Sequence, residues 1–145
     1  MVIVPDASVI LKWVLEREDE PGCLQAFRLL KAYEAETIDL RLPTLWRYEA
    51  GNILGIKQPQ HAGEAMKVLL AYEFPEEPLH RDYCLAVLGL MREVKGASFY
   101  DAAYHVLAIQ IQGTYVTADA NYVKKAKRKG HLTLLSDWHP PTAPR

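Results

Sequence analysis

Four acidic residues of this chain lie in apolar surroundings, where a solvent-exposed charge is not expected. They are Asp6, Glu49, Asp101 and Asp119. Asp6 and Asp119 directly follow apolar runs that predict strands, while Glu49 and Asp101 lie within helical patterns. A lone buried carboxylate is costly, and several in one cleft repel one another. Four such groups at one place would therefore need cations.

The chemistry of a carboxylate cluster follows from its donor atoms. Oxygen-only ligands suit Mg²⁺ or Mn²⁺, whereas Zn²⁺ prefers sites that contain nitrogen or sulfur. Two such ions about 3.5–4 Å apart can support in-line hydrolysis of a phosphodiester bond. The four acids therefore predict a site for Mg²⁺ or Mn²⁺ that acts on phosphodiesters.

Each of the four acids also has a purely structural alternative. Asp6 and Asp119 could cap the helices that follow them, and Asp101 could complement the amino end of its helix after Ser98. Glu49 could form an ion pair with a cation of its own helix, either Arg47 or Lys57, although neither shares its face well. Taken together these alternatives are weaker than taken singly, because two of the acids end strands and two lie on helices that can flank the same edge.

Apolar runs and helical periodicity alternate along the chain. The first run, residues 2–4, predicts a strand buried on both faces that Pro5 ends, with Ser8 helping to cap the next helix. Further strands are predicted at residues 40–42, 74–79 (at an edge), 114–117 and 132–135. Helices are predicted at residues 7–15, 22–35, 45–54, 60–72, 82–94, 99–112 and 121–129. Thr44 is predicted to cap the third of these helices, and Gly55 with Pro59 to end it. Residues 16–21 are predicted to form a solvated acidic loop. This order predicts an α/β fold with a mostly parallel sheet covered on both faces.

Length and composition indicate one globular domain. The chain has 145 residues and a net charge of −1, so binding of nucleic acid would need a local basic patch. Such a patch follows Asp119 and includes Lys124, Lys125, Lys127 and Arg128. The two cysteines, Cys23 and Cys84, have no metal-binding spacing and predict core residues of a reducing compartment. Because the sequence shows no signal peptide and no membrane span, we expect a cytoplasmic protein. We also expect one domain over residues 1–137, followed by a proline-rich tail over residues 138–145.

At the four acids the chain resembles the PIN-domain ribonucleases, and within them the VapC-type toxins of toxin–antitoxin pairs. The resemblance spans roughly residues 1–137, and its motifs occur in the order of the family. They are Val4-Pro5-Asp6-Ala7-Ser8, Glu49-Ala50-Gly51-Asn52, Ser98-Phe99-Tyr100-Asp101-Ala102-Ala103-Tyr104 and Thr117-Ala118-Asp119. No single motif is specific, but the four in order make a strong combined signal.

The resemblance implies a three-layer α/β/α PIN fold and Mg²⁺- or Mn²⁺-dependent cleavage of RNA. It implies that the four acids bind the metal and form the catalytic site, with supporting polar side chains at Ser8, Asn52 and Thr117. Asn121 stands near the position where some relatives carry a further acid. The resemblance also implies an antitoxin protein as partner and a homodimer.

Other classes of protein fit the sequence less well. A haloacid-dehalogenase-type phosphatase needs a second Asp two residues after the first, and Ser8 occupies that position. A receiver domain needs paired acids after its first strand, and Asp6 stands alone. The serious alternative is a non-catalytic PIN-like module that acts through protein or RNA partners. We also expect a partner or self-association surface on the apolar stripes of residues 9–15 and 23–30.

Overall fold

A parallel sheet lies at the centre of the computed structural model, which describes residues 1–15 and 22–142. Four strands form the main sheet in the order β2-β1-β5-β6, and every pairing in it is parallel. A separate pair, β3 and β4, is also parallel. The strands are β1 (Val2–Pro5), β2 (Asp39–Leu40), β3 (Leu42–Pro43), β4 (Glu76–Glu77), β5 (Thr114–Thr117) and β6 (Leu132–Leu134).

Helices connect these parallel strands. In the described part of the chain they are α1 (Ala7–Ile10), α2 (Cys23–Glu34), α3 (Trp46–Lys57), α4 (Ala62–Ala71), α5 (Arg81–Glu93), α6 (Phe99–Gln110) and α7 (Ala120–Ala126). Short 3₁₀ turns follow α1, α7 and β6, at Leu11–Trp13, Lys127–Lys129 and Leu135–Asp137.

Both faces of the main sheet are covered. Successive side chains of a strand point to opposite faces, and Ile3 and Val4 of β1 are both buried. The central strand β5 is likewise buried from Tyr115 to Thr117. The helix α6 packs against β1 and β5 and is itself buried along most of its length. This arrangement confirms the predicted α/β fold, with its mostly parallel sheet between layers of helices.

The strand predicted over residues 40–42 is wrong in one respect. The chain forms two separate strands there: β2 pairs with β1, and β3 pairs with β4 in the second sheet. Between them Arg41 donates its backbone N–H to Ile3. Pro43 is the last residue of β3 and lies within the strand. A proline is tolerated there although it has no N–H, because β3 is an edge strand of a two-stranded sheet.

Three predicted helix ends differ from the structure. The carboxylate of Asp6, and not the Ser8 hydroxyl, caps α1. Thr44 does not cap α3, because Leu45 takes the cap position and the helix begins at Trp46 without a side-chain cap. Thr44 instead extends the pairing of β3 with β4, since its N–H donates to the carbonyl of Glu77. Gly55 does not end α3, which continues to Lys57, since an exposed glycine in a helix costs only about 1 kcal/mol.

The remaining segments are placed as follows. Trp138 is buried in the core, and residues 139–142 are exposed, while 143–145 and the acidic loop predicted at 16–21 lie outside the described residues. Neither cysteine forms a disulfide bond among the described residues, and Cys23 is buried while Cys84 is partly buried. No helix of the described part is long and apolar enough to cross a membrane.

Candidate active site

The carboxyl ends of β1 and β5 meet at one edge of the main sheet and bring two of the predicted acids to it. The strands are parallel neighbours with Pro5 opposite Val116. Asp6 follows β1 directly, and Asp119 comes two residues after β5. The backbone N–H of Asp6 donates to the carbonyl of Val116 across 3.3 Å, so the two chain segments stay together past the last strand residue. This is the edge at which parallel α/β sheets bind ligands.

Asp6 is a buried carboxylate, 6% exposed, that is surrounded by donors. Its Oδ1 accepts from the backbone N–H of Ser8 across 3.0 Å and from the Ser8 hydroxyl, and its Oδ2 accepts from Tyr115. Burial raises the pKa of Asp6, while the hydrogen bonds from Ser8, Thr117 and Tyr115 act in the opposite direction. The Asp6 carboxylate is therefore held in one orientation by its hydrogen bonds.

The two predicted hydroxyl positions fasten the loops beside Asp6. Ser8 Oγ donates to Asp6 and accepts from the N–H of Ala118 across 3.1 Å. Thr117 Oγ1 accepts from the N–H of Asp119, also across 3.1 Å. The start of α1 and the end of β5 are therefore joined through side chains that also contact the acids.

Glu49 reaches the same edge from α3 with an incomplete set of partners. Within residues 1–15 and 22–142 its buried Oε1 has no hydrogen-bond partner. The structural alternative of an ion pair with Arg47 is excluded, because Arg47 pairs with Glu76 across 2.7 Å. Burial raises the pKa of Glu49 to about 7, the nearby Tyr104 hydroxyl partly offsets this, and the charges of Asp6 and Asp101 raise it further. Among the described residues Glu49 therefore forms no ion pair.

Asp101 lies in the first turn of α6 and also faces other acids. The helix is capped by Ser98, whose hydroxyl accepts from the N–H of Asp101 across 3.1 Å. Burial raises the pKa of Asp101 most, followed by the charge of Asp6, and the charge of Asp119 adds to the rise. The Ser98 contact and the charge of Lys125 lower it. Asp101 therefore lies in the first turn of its helix, as the structural alternative predicts, and is also close to two other carboxylates.

Asp119 is exposed and caps α7. Its Oδ1 accepts from the N–H of Tyr122 across 3.1 Å, as the structural alternative predicts. Asn121 is exposed in the first turn of the same helix. Capping leaves the second carboxylate oxygen of Asp119 available, so the cap does not exclude a role as ligand.

The four acids are linked by their charges but do not form a finished metal site. Asp6 acts on Glu49 and on Asp101, and Asp119 acts on Asp101. As the side chains stand, no three His, Cys, Asp or Glu residues in the described ranges are arranged to hold one ion. The donor set is nevertheless what Mg²⁺ or Mn²⁺ requires, because it consists of oxygen atoms. One of them is buried and has no hydrogen-bond partner among the described residues. The pKa values of Glu49 and Asp101 are raised, first by burial and then by the charges of neighbouring acids.

The predicted RNA-binding cations differ in their surroundings. Lys125 lies close enough to the acids to lower the pKa of Asp101, and its Nζ donates to the carbonyl of Gly96. Arg128 donates to the backbone carbonyl of Glu93 on α5, so it holds the following turn against that helix. Lys124 and Lys127 are exposed. Lys125 is thus the predicted RNA-binding cation whose charge acts on Asp101.

Sequence reasoning missed two tyrosines that support the site. Tyr115 donates to Asp6 across 2.7 Å, and Tyr104 lies beside Glu49 and stacks on Tyr115 with ring centroids 5.7 Å apart. Tyr104 stands in the quoted motif of α6, three residues after Asp101, which is a signal for a shared helix face. Nothing local marks Tyr115, because its partner is far away in the chain.

Two lysines lie beside the site, of which the sequence suggested only Lys57, as a possible ion-pair partner of Glu49. A cavity of about 200 Å³ is lined by Ser8, Lys12 and Lys57, among others. Lys12 follows Ser8 at the helical spacing i+4, which is the signal that could have placed it there.

His105 belongs to the scaffold and not to the cleft. It is fully buried, and its Nε2 lies 2.7 Å from the carbonyl of Gly130. Because a carbonyl only accepts, Nε2 carries the proton and Nδ1 accepts from the Tyr122 hydroxyl at 2.8 Å. Burial lowers the pKa of His105, which keeps the ring neutral. The His105 side chain therefore joins α6 to Tyr122 and Gly130, which lie on either side of the basic patch of Lys124, Lys125, Lys127 and Arg128.

Comparison with known proteins supports the fold. No protein-family model matches the chain, and no curated protein matches it. Among solved structures, it is similar to a chain in the crystal structure of VapBC2 from Rickettsia felis bound to a DNA fragment from their promoter. The TM-score is 0.68 over 92% of this chain and 97% of that chain, with 14% sequence identity. The resemblance drawn from the motifs is thus confirmed at the level of the fold.

Proposed function

We propose that this chain is a metal-dependent endoribonuclease, a hydrolase that cleaves RNA phosphodiester bonds with Mg²⁺ or Mn²⁺. One observation carries the proposal: at the carboxyl edge of a parallel sheet the charges of other acids raise the pKa of Glu49 and of Asp101, and the buried Oε1 of Glu49 has no partner among the described residues. Such an arrangement is costly unless a cation offsets it. The fold shared with VapBC2 supports the same reading.

The residues of the edge have distinct proposed roles. Asp6, Glu49, Asp101 and Asp119 would hold the cation, which when bound supplies activation of water and neutralisation of charge in the displacement. Ser8 and Thr117 hold the loops that carry Asp6 and Asp119, and so fix the distance between them. Lys125 offsets part of the negative charge that would otherwise repel a polynucleotide.

Hydrolysis itself balances without any further reactant. The oxygen of a water molecule forms a bond to phosphorus, the bond from phosphorus to the bridging oxygen breaks, and the leaving oxygen takes a proton. The contribution of this chain is to position the phosphate and the charges around it.

A second candidate function is a PIN-like module that binds partners without catalysis. One observation favours it: no three ligating side chains in the described part of the chain are arranged for one ion as they stand. Both candidates share the fold, so only a metal and cleavage experiment separates them.

The test is cleavage of a labelled single-stranded RNA with Mn²⁺, with Mg²⁺ and with EDTA. The parent protein should cleave with either metal and not with EDTA, and Asp6→Asn should abolish cleavage. The control is Asp82→Asn, which removes an exposed acid on α5 away from the site. Calorimetry with Mn²⁺ on the same proteins reports binding directly. A parent that binds no Mn²⁺ and cleaves no RNA would favour the binding module.

We further propose that the protein is the toxin of a toxin–antitoxin pair, acting on RNA in the cytoplasm, with a protein antitoxin as its partner and a homodimer as its own assembly. The fold of the VapBC2 chain supports the antitoxin. Of the two apolar stripes expected to meet a partner, residues 9–11 are buried in the core, whereas Leu24 and Phe27 of α2 are exposed. The exposed pair on α2 is therefore the surface that a partner would cover.

Light scattering of the purified protein, alone and after co-expression with the protein encoded beside it, tests this assembly. Leu24→Ser with Phe27→Ser should reduce association, whereas Leu85→Ser, an exposed leucine on α5, should not. A monomer that recruits no partner would contradict the proposal.

A further inference from the structure

Two exposed tyrosines border the acidic edge. Tyr48 is 79% exposed and Tyr100 is 53% exposed. Each directly precedes a site acid in the chain, Glu49 on α3 and Asp101 on α6. Within residues 1–15 and 22–142 neither ring packs against another aromatic ring, unlike the clustered rings of the core. Both rings are thus exposed to solvent beside the carboxylates.

The two rings line one cavity. It has a volume of about 430 Å³, and Glu49, Asn52 and Ile53 complete its lining. We call this space the tyrosine cavity. Its size lies within the range of cavities that bind small ligands. Because Glu49 belongs both to this cavity and to the acidic cluster, a group bound in the cavity would lie next to a phosphate at the acids.

The chemistry of the lining suits one kind of occupant. A tyrosine ring presents a flat face on which any nucleobase can stack. The amide of Asn52 carries both a donor and an acceptor, the combination that the polar edge of a base requires. A peptide segment would need apolar depth, and among the lining residues only Ile53 is an aliphatic side chain.

We propose that the tyrosine cavity binds one unpaired nucleobase of a single-stranded RNA, with Tyr48 and Tyr100 as stacking surfaces and Asn52 against the base edge. The proposal rests on the proposed function, which supplies RNA as the substrate. It adds a way to select the bond that is cut, because the nucleotide whose base enters the cavity fixes which phosphate reaches the acids. Single-stranded RNA would be bound and duplex RNA excluded, since a paired base cannot enter.

The experiment measures binding separately from cleavage. Fluorescence anisotropy of a labelled single-stranded RNA is recorded with the full chain in EDTA at low salt, where metal-dependent cleavage cannot proceed. Tyr48→Ala and Tyr100→Ala should each weaken binding by roughly 5- to 150-fold, the usual value of one stacked base. Tyr48→Phe should bind like the parent, because the ring face remains. Leu88→Ala, which removes an exposed apolar side chain on α5, is the control and should have no effect.

An abasic RNA provides the second arm. Removing the base that enters the cavity should weaken binding by the parent but add nothing to the loss in Tyr48→Ala. The proposal is overturned if the tyrosine variants bind RNA like the parent, if no abasic position matters, or if the parent does not bind single-stranded RNA. It is also overturned if the variants lose a protein partner while RNA binding is intact.

Cleavage by the parent in Mn²⁺ is scored separately and keeps the two proposals distinct. A protein that binds RNA through the tyrosines and never cleaves it contradicts the nuclease and supports the base site. A protein that cleaves RNA and binds it equally well without the tyrosines supports the nuclease and overturns the base site.

Discussion

The hydroxyl of Tyr115 donates a hydrogen bond of 2.7 Å to Oδ2 of Asp6, and the two residues are 109 positions apart in the chain. Tyr115 lies on β5 and Asp6 follows β1, so the parallel pairing of these strands creates the contact. The contact orients the carboxylate that lies deepest among the candidate ligands. It also connects the folding of the sheet to the geometry of the site.

Replacing Tyr115 by Phe should weaken both stability and the site. The variant leaves a buried carboxylate with one donor fewer, so we expect the free energy of unfolding to fall by about 1.5–3 kcal/mol, the usual value for a hydrogen bond to a charged group. RNA cleavage should also fall, because Asp6 is no longer held. Urea unfolding and the cleavage assay measure the two effects.

The matched control is Tyr83→Phe, which removes another buried tyrosine hydroxyl that donates to a backbone carbonyl, that of Ala103, across 2.6 Å. It should lower stability and leave cleavage at saturating RNA intact. Equal loss of cleavage in both variants would mean that Tyr115 acts through stability alone.

Glu49 should make the metal-free protein less stable as the pH rises. The folded chain holds the Glu49 proton up to about pH 7, while the unfolded chain loses it near its ordinary value of 4.5. The folded state therefore binds more protons between these values, and the free energy of unfolding falls across that window. Because Glu49 is partly exposed, we expect a loss of about 1–2 kcal/mol rather than the full value.

The variant Glu49→Gln removes this titration. In EDTA it should melt at a higher temperature than the parent at pH 8, and the difference should disappear at pH 4. Glu64→Gln, an exposed glutamate on α4, should show no such difference. A parent whose stability does not fall relative to Glu49→Gln between pH 4 and 8 would contradict the assignment.

Much of the site could be predicted from the sequence because its signals are local. Asp6 and Asp119 directly follow apolar runs, and parallel strands place such residues at one edge. Asp101 comes three residues after its cap Ser98, which fixes its place in the first turn of α6. These inferences need only the sequence within a few positions of each residue.

Other features could not be predicted because they depend on tertiary contacts. The contact of Tyr115 with Asp6 exists only after β1 and β5 pair. The division of residues 39–43 into β2 and β3 depends on which strand lies beside each, β1 or β4. The ion pair of Arg47 with Glu76, which removes Arg47 as a partner of Glu49, likewise crosses from α3 to β4.

The basic patch after Asp119 should contribute to RNA affinity and not to the rate of the cleavage step. Replacing Lys124, Lys125 and Lys127 by Ala should weaken binding and reduce the slope of log affinity against log salt by up to about 2 units, roughly 0.7 for each phosphate contact to a single strand. The cleavage rate at saturating RNA should change little. Arg128 is left in place because it holds the turn against Glu93.

The control for this triple variant is Lys31→Ala with Lys67→Ala, which removes two exposed lysines of surface ion pairs on α2 and α4. Binding titrations at several salt concentrations should show no change in slope for the control. Unchanged affinity in the triple variant, together with a collapsed cleavage rate, would reverse the assignment.

Asp119 combines a cap with a candidate ligand position, and two substitutions separate these roles. Asn keeps an oxygen that can accept from the N–H of Tyr122, so Asp119→Asn should fold. It also removes a charge that raises the pKa of Asp101, so the stability of the metal-free protein should be unchanged or higher. Metal affinity and RNA cleavage should each fall at least about tenfold, because even a residue behind a metal ligand is worth that much.

Asp119→Ala removes the cap as well and should cost about 1 kcal/mol of stability beyond the Asn variant. Thermal melts in EDTA and in Mn²⁺, run beside the cleavage assay, measure all of these effects. If Asp119 were only a cap, Asp119→Asn would bind Mn²⁺ and cleave RNA like the parent, and only Asp119→Ala would differ. If Asp119 is also a metal ligand, as we expect, both variants lose cleavage and they differ from each other only in stability.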